Sequence, residues 1–165
     1  MTTPAQPTQV WLTQKTFARL SAELEDLKGP RRQEIIERIS AARDEGDLKE
    51  NGGYHAAKDE QGKIEARIIQ LEEMLANVST ETSADDHTVS PGKVVTYRYA
   101  GDDEDEVFLL GAREIDDDHE IEVFSPQSPL GAALLGAAKG STVDFDAPNG
   151  KTLKLEIVDA VPFQE

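Results

Sequence analysis

The chain has 165 residues, 38% of them apolar and 30% charged, and a formal net charge of −16. No apolar run approaches the ~18 residues that a membrane-spanning helix needs, and the lack of cysteine excludes disulfides and thiolate metal sites. The N-terminus shows no basic segment followed by an apolar one, so we expect a cytoplasmic protein without membrane contact.

The charge is unevenly distributed along the chain. Residues 1–78 hold 11 Lys and Arg against 14 Asp and Glu, whereas residues 79–165 hold 6 against 19. A protein that binds nucleic acid by itself is normally basic, and a phosphate backbone would repel the acidic second half. We therefore expect no independent binding of duplex DNA, and any nucleic-acid contact must involve the first half or a basic partner.

The first predicted element after a flexible tail at residues 1–10 is a helix. Thr13 is placed to cap it, and apolar residues then recur at helical spacing. They are Phe17, Leu20, Leu24, Leu27, Ile35, Ile39 and Ala42. Gly29-Pro30 interrupts this pattern, and because proline inside a helix costs ~3 kcal/mol or more, a kink or short break is predicted there.

The second predicted helix has a more regular apolar stripe, with residues three and four apart as in a coiled coil. The stripe consists of Tyr54, Ala57, Gln61, Ile64, Ile68, Leu71 and Leu75. Two amphipathic helices of similar length with a short polar connection pack antiparallel. We therefore predict a coiled-coil hairpin over residues 11–78, about 45 Å long at 1.5 Å per residue, with its tip at residues 44–53.

A small α+β domain is predicted after a Ser/Thr-rich linker at residues 79–90. From residue 91 onward the apolar period changes to about two, which indicates strands. The strand segments are "KVVTYRY", "EVFLLGA", "EIEVF", "STVDFD" and "TLKLEIVDAV". Residues 128–140 predict one short helix that ends at Gly140, and Asn149-Gly150 predicts a hairpin turn. The fold class is therefore α+β.

Asp47 and Glu50 lie where the two helices join, and their spacing allows two interpretations. In a capping box, Asp47 would cap the second helix while Glu50 reaches back to it. Alternatively, both carboxylates project from the tip and bind a divalent cation. Mg²⁺ keeps most of its waters and usually needs substrate phosphates as well, so two carboxylates would only complete a metal site that another molecule brings. Both interpretations can hold together.

Basic residues concentrate near the same end of the hairpin. Arg38, Arg43, Lys49, Lys58 and Lys63 are candidates for ion pairs within each helix, and their concentration also fits contacts with phosphates. Tyr54 begins the apolar stripe, so packing is its simplest role, and stacking on an RNA base is the alternative.

The segment "EGDLKENGGYHAAKDEQGKIEARIIQLEEML" resembles the characteristic motif of the bacterial Gre transcript cleavage factors, of the GreA type. The segment "SPQSPLGAALLGAAKGSTVDFDAPNGKTLKLEIV" is similar to the C-terminal stretch of the same family, and the resemblance covers about residues 11–160. It implies an antiparallel coiled-coil hairpin followed by an FKBP-like domain, residues 91–165, that binds RNA polymerase and has no isomerase activity.

The resemblance also implies a function. In the family, the C-terminal domain binds RNA polymerase at the rim of its secondary channel, and the hairpin enters that channel. The tip carboxylates, here Asp47 and Glu50, help to hold a second catalytic Mg²⁺ in the polymerase active site, and backtracked RNA is then cut near its 3′ end. The chain would thus be a monomeric accessory factor that binds no cofactor alone.

Two surfaces follow as expectations. Arg43 and Lys58 should contact the extruded RNA, together with Arg38, Lys49 and Tyr54. The polymerase should bind around two Ser-Pro pairs and the following leucines, at Ser125, Pro126, Ser128, Pro129, Leu130 and Leu134. Leu130, Leu134 and Leu135 together are many leucines for so short a helix to bury. Small exposed apolar patches often mark partner sites. The alternative is that all three leucines are core.

Two other functions remain open at this point. A regulator with the same fold could occupy the channel and inhibit polymerase without cleavage, and an assay on backtracked complexes separates the two. A metal-independent scaffold could instead use the C-terminal domain to bind peptides, and the tip acids would then be irrelevant.

Overall fold

The chain folds as two units, a helical hairpin and a sheet unit. The structure, a computed structural model, describes residues 9–47 and 49–165. The hairpin comprises residues 17–77, and the sheet unit combines residues up to Thr16 with residues 78–165. Most of the predicted tail and Leu48 of the predicted tip lie outside the described residues. The mixed α+β fold class is confirmed.

The hairpin contains two long helical arms. The first arm consists of α1 (Gln14–Asp26), a π-helical turn (Leu27–Arg31) and α2 (Arg32–Arg43), and the second arm is α3 (Gly52–Ala76). The predicted cap of α1 is present, since the Thr16 amide donates to Thr13 Oγ1 at 3.2 Å. Within the described residues, no helix is both long and apolar enough to span a membrane.

At Gly29-Pro30, where a kink or short break is predicted, a π turn interrupts the α-helix, and the first arm stays helical through it. Asp26 and Arg32 on either side have right-handed helical backbone angles, and the Arg32 amide reaches back five residues to the Leu27 carbonyl. The wider turn tolerates the proline ring and its missing donor. It also adds one residue, so that Leu27 and Ile35, eight positions apart, pack in the same apolar cluster.

The apolar stripe of α3 forms the predicted seam with the first arm. Ala57, Ile64, Ile68 and Leu71 are buried, and the first three pack with Ile35 and Ile39 of α2. Ion pairs flank the seam and run in antiparallel order. They are Arg32–Glu65 at 2.9 Å, Arg38–Glu60 at 2.6 Å and Arg67–Glu23 at 2.7 Å. Such partly exposed pairs contribute about 0–1 kcal/mol each, so the buried stripe provides most of the stability.

The sheet unit contains a five-stranded sheet in the order β5-β4-β3-β7-β6. Its strands are β3 (Lys93–Tyr99), β4 (Asp105–Leu110), β5 (Val123–Phe124), β6 (Thr142–Asp146) and β7 (Thr152–Pro162). Neighbouring strands are antiparallel except β4 and β5, which are parallel. The predicted strand "EIEVF" is thus only two residues long, and the Asn149-Gly150 turn joins β6 to β7 as predicted.

A short helix, α4 (Pro129–Leu134), ends six residues earlier than the predicted Gly140. Leu135 leaves the helical conformation, with φ −56° and ψ 127°, and Gly136 follows with a φ of 84°, the left-handed conformation that favours glycine at a helix end. The chain after the helix pairs instead with the segment before β3: Val89 N donates to Ala137 O at 2.8 Å and Gly136 N to Val89 O at 2.8 Å.

The segment predicted as a linker, residues 79–90, packs against the sheet unit. Val78–Ser79 forms strand β2, which pairs in parallel with β1 (Val10–Trp11). Val89 is buried in the core of the sheet unit. The fully buried Lys93 side chain donates to Asp86 Oδ1 and to the Thr88 carbonyl, both at 2.6 Å. These contacts hold the segment in place, so only its composition resembles that of a free linker.

Candidate functional site at the hairpin tip

The candidate site is the connection between α2 and α3, at the end of the hairpin. The first arm ends at Arg43, and Gly46 turns the chain with a φ of 140°, a conformation that side chains disfavour. An open cavity of about 300 Å³ lies on this connection. It is lined by Glu45, Gly46, Asp47, Glu50, Asn51 and Gly52.

The residue that caps α3 is Asn51, so the predicted capping box of Asp47 and Glu50 is wrong. The Asn51 side chain accepts a hydrogen bond from the Tyr54 amide at 3.0 Å, and the helix begins at Gly52. A cap satisfies one of the four free amides at a helix start. Because Asn51 performs this role, the carboxylates of Asp47 and Glu50 lie outside the helix.

Both tip carboxylates are exposed and line the same cavity. Asp47 Oδ1 accepts from the Lys49 amide at 3.0 Å, and the Glu50 amide donates to the Asp47 carbonyl at 3.3 Å. These bonds fold the connection tightly around Asp47. Among the described residues, neither carboxylate forms an ion pair with a basic side chain, so both keep oxygen atoms available for an outside ligand.

The carboxylate oxygens at the tip are the type of ligand that Mg²⁺ prefers, but two carboxylates are too few to hold the ion alone. Carboxylates are hard ligands of the type that Mg²⁺ prefers, and the ion is usually held by one or two of them together with waters and substrate phosphates. No group of three or more His, Cys, Asp or Glu side chains within the described ranges has a geometry for holding a metal. Asp47 and Glu50 therefore fit a site that is shared with another molecule.

The five predicted nucleic-acid contact residues differ in whether an acidic side chain of the hairpin already pairs with them. Arg38 pairs with Glu60 of the opposite helix at 2.6 Å, and this bond lowers the pKa of the Glu60 carboxyl. Arg38 is thus part of the hairpin scaffold, and the expected ion pair within its own helix is wrong. Lys58 Nζ donates to the uncharged Gln61 Oε1 at 3.0 Å, and Lys49 is exposed.

Arg43 and Tyr54 contact each other across the two helix ends. The Arg43 guanidinium carbon lies 5.8 Å from the centre of the Tyr54 ring, within the range of cation–π attraction. Tyr54 also packs against the apolar seam and is only partly exposed. The packing role of Tyr54 is therefore present, and its ring orients the guanidinium of Arg43 beside the tip.

The predicted polymerase-binding residues surround the start of α4. Ser128 caps the helix by accepting from the Gly131 amide at 3.1 Å, and its hydroxyl donates to the Ser125 carbonyl at 2.6 Å. Leu134 is fully buried in the core of the sheet unit, so its predicted place in a contact surface is wrong. Leu130 is partly buried against the same core, whereas Leu135 is 48% exposed.

Two residues at these surfaces differ in how far the sequence predicts their roles. Asn51 is a favoured capping residue directly before the helix, and this signal was available in "KENGGY". Leu135 is one of three leucines that the sequence offers for a contact surface, and its exposure depends on α4 ending at Leu134. The cap at Asn51 is therefore predictable from the sequence, and the exposure of Leu135 is not.

Comparisons with known proteins agree with this arrangement. One family model, described as "Transcription elongation factor, N-terminal", matches residues 10–79, and another, "Transcription elongation factor, GreA/GreB, C-term", matches residues 84–162. A transcription elongation factor GreA of Streptomyces avermitilis is 50% identical over 156 residues, which cover 93% of this chain and 94% of the relative. One of Mycobacterium tuberculosis is 46% identical over 160 residues, covering 94% and 97%.

Among solved structures, GreA factor homolog 1 of Thermus thermophilus is similar with 27% identity and a TM-score of 0.42, over 93% of this chain and 99% of that one. Both family models define the class of protein as a transcription elongation factor. Within that class, the chain belongs to the GreA/GreB family.

Proposed function

We propose that this elongation factor binds RNA polymerase, inserts its hairpin into the secondary channel and stimulates the endonucleolytic cleavage of backtracked RNA. Asp47 and Glu50 serve as ligands of a second Mg²⁺ in the polymerase active site. The factor is an accessory protein, and the polymerase supplies the remaining ligands and the substrate.

One observation carries this proposal: the α3 cap is Asn51, and both neighbouring acids remain exposed. Carboxylates that were needed to stabilise the helix would be occupied by its amides. Here Asp47 and Glu50 are displayed at the end of two arms whose seam is buried along most of its length. The hairpin thus presents two exposed hard oxygen ligands at its tip, where a partner can reach them.

The division of work between the proteins follows from the ligand count. A second Mg²⁺ in a two-metal site activates water and stabilises the charge that develops on the scissile phosphate. Asp47 and Glu50 would hold the ion and orient it, while the exposed position of both carboxylates lets them enter a phosphate-rich site without a large loss of contacts elsewhere.

The test is RNA cleavage in a purified elongation complex that has backtracked and stalled. Adding the chain with Mg²⁺ should release short 3′ fragments and restore elongation, because the shortened RNA again has its 3′ end in the active site. A control without polymerase should leave the RNA intact. Inhibition of the complex without fragment release would instead support the non-cleaving regulator, and nuclease activity without polymerase would contradict the accessory role.

We predict that Arg43 and Lys58 contact the extruded RNA strand. The Arg43→Ala/Lys58→Ala double variant should crosslink to the RNA less efficiently, and its cleavage activity should depend less on salt, because each lost phosphate contact reduces the salt slope by about one. The matched control is Lys28→Ala/Arg32→Ala, which removes the same charge from ion pairs with Glu72 and Glu65. Equal crosslinking by both double variants would contradict the contact.

We predict that the exposed Leu135, and not the buried Leu134, contributes to polymerase binding. Leu135→Ser should weaken binding about tenfold, because removing a buried leucine contact costs about 1.5 kcal/mol or more. Val107→Ser is the control, since Val107 is a similarly exposed apolar residue of the sheet unit. Competition binding against the unmodified chain measures both, and an equal effect of the two substitutions would contradict a specific surface at Leu135.

A further inference from the structure

Asn51 uses both polar atoms of its side chain to join the two arms at the tip. Its Oδ1 accepts from the Tyr54 amide at 3.0 Å, and its Nδ2 donates to the Ala42 carbonyl. Ala42 is buried in the last turn of α2, where the final carbonyls of a helix have no partner within the helix. A single side chain therefore caps the start of α3 and also binds a carbonyl in the last turn of α2.

This double contact fixes both ends of the connection that carries the tip acids. The connection leaves α2 next to Ala42, whose carbonyl also accepts from the Glu45 amide at 3.2 Å. It returns at Asn51, which directly follows Glu50 in the sequence. Within the described residues, the polar bonds of Asp47 and Glu50 lie inside the connection itself. Asn51 is thus the side chain that ties this turn to the helical scaffold.

The chemistry of the two bonds requires an amide side chain. Asparagine offers an acceptor and a donor, whereas aspartate at neutral pH only accepts and serine is shorter. Asp and Ser cap helices about as well as Asn. A substitution by either residue therefore keeps the cap of α3 and removes only the bond to Ala42, so the two contacts can be tested separately.

We propose that Asn51 is a positioning residue that holds Asp47 and Glu50 in place for the shared Mg²⁺, an inference that rests on the proposed function. Side chains that orient metal ligands typically change metal affinity or activity about 10- to 100-fold when they are replaced. Loss of the Ala42 bond frees the C-terminal end of the connection, and both carboxylates then sample more positions than the metal site needs.

The first measurement needs no polymerase. In the isolated full-length Asn51→Ser variant, amide hydrogen exchange at Glu45, Lys49 and Glu50 should be about fivefold faster than in the unmodified chain, the factor that corresponds to one hydrogen bond of typical net strength. Ile68→Val is the matched control, because it weakens the hairpin seam far from the tip. Unchanged exchange at the tip in the Asn51→Ser variant would overturn the proposal.

The second measurement titrates Mg²⁺ in stimulated cleavage by a backtracked polymerase complex. Asn51→Ser should raise the Mg²⁺ concentration for half-maximal cleavage about tenfold or more, and Ile68→Val should not. Asn51→Asp should shift it in the same direction, although an added negative charge by itself would attract the cation. Half-maximal Mg²⁺ concentrations equal to that of the unmodified chain in both Asn51 variants would overturn the inference.

The outcome for Asn51 can be distinguished from the outcome for the proposed function. Substitution of Asp47 and Glu50 tests the metal ligands directly. If that double variant cleaves normally, the proposed function fails. If it is inactive while the Asn51 variants keep the normal Mg²⁺ dependence, the proposed function stands and only the positioning role falls.

Discussion

The Asp47→Asn/Glu50→Gln double variant should lose stimulated RNA cleavage while its affinity for polymerase changes little. Charge stabilisation by a catalytic metal amounts to several kcal/mol, so loss of its added ligands should reduce the cleavage rate by about 10³-fold. The measurement is the rate of fragment release from a backtracked complex at saturating factor. Binding should persist because the substitutions keep the shape of both side chains and remove no apolar contact.

The control for this double variant must separate ligand loss from a change in net charge. Glu25→Gln/Glu73→Gln removes two exposed carboxylates from the hairpin at positions remote from the tip, and it should cleave normally. A residual rate for the tip variant close to that of the unmodified chain would contradict the ligand role. Because Asn51 caps α3, the tip variant should also unfold at the same denaturant concentration as the unmodified chain.

The hairpin could be predicted from the sequence because its stability depends on one buried stripe. The buried positions of α3 lie three, four or seven residues apart, the spacing of one helix face, and the structure buries Ala57, Ile64 and Ile68 as expected. No comparable pattern in the sequence predicts the π turn. At Arg32 the backbone amide bonds the carbonyl five residues back instead of four, and no residue type marks this change. The proline predicts an interruption of the α-helix but not that it takes the form of a π turn.

The sequence predicts the acids of the tip but not the hydrogen bond that joins the two helices there. Asp47 and Glu50 have the spacing of a capping box, and they also lie directly before a helix, where a capping box is found. The bond from Asn51 to the Ala42 carbonyl joins residues nine positions apart across the turn, and no local pattern reports such a contact. The Asn51 cap is local and follows from the residue type before the helix, whereas the bond to Ala42 depends on tertiary structure.

At α4, too, the local sequence pattern does not predict which residues are exposed. Leu134 and Leu135 are adjacent and chemically identical, yet one is fully buried and the other is 48% exposed. The difference arises because the helix ends between them, where the backbone turns to pair with Val89. Periodicity predicts which face of a helix is buried, but it does not predict this end when a second glycine lies four residues later.

The same substitution, Gly→Ala, should have opposite effects on stability in the two units. Gly62 lies within α3 with no atom near the position of an added Cβ, so Gly62→Ala should stabilise the hairpin by about 0.5–1 kcal/mol. At Gly131 of α4, an added Cβ would lie 2.1 Å from the Ser125 carbonyl oxygen and 2.9 Å from Ser128 Oγ. Overpacking of this kind costs about 1–3 kcal/mol and occasionally more.

Gly131→Ala should be the more damaging change because its clash is with backbone that other bonds hold in place. The Ser125 carbonyl accepts from both the amide and the hydroxyl of Ser128, at 3.0 Å and 2.6 Å. The loop that carries Ser125 and Pro126 must therefore move, and polymerase binding should weaken together with stability.

Two probes report the two units separately in urea unfolding. Trp11, the only tryptophan of the chain, lies in the sheet unit with its ring 6.3 Å from that of Phe163, so its fluorescence follows that unit. Far-ultraviolet circular dichroism is dominated by the long helices of the hairpin. Gly131→Ala should lower the fluorescence midpoint, and Gly62→Ala should raise the dichroism midpoint, because midpoints follow stability when the slope is unchanged. A fluorescence midpoint unchanged by Gly131→Ala would show that the loop at Ser125 moves at no cost, which would also remove the reason to expect weaker polymerase binding.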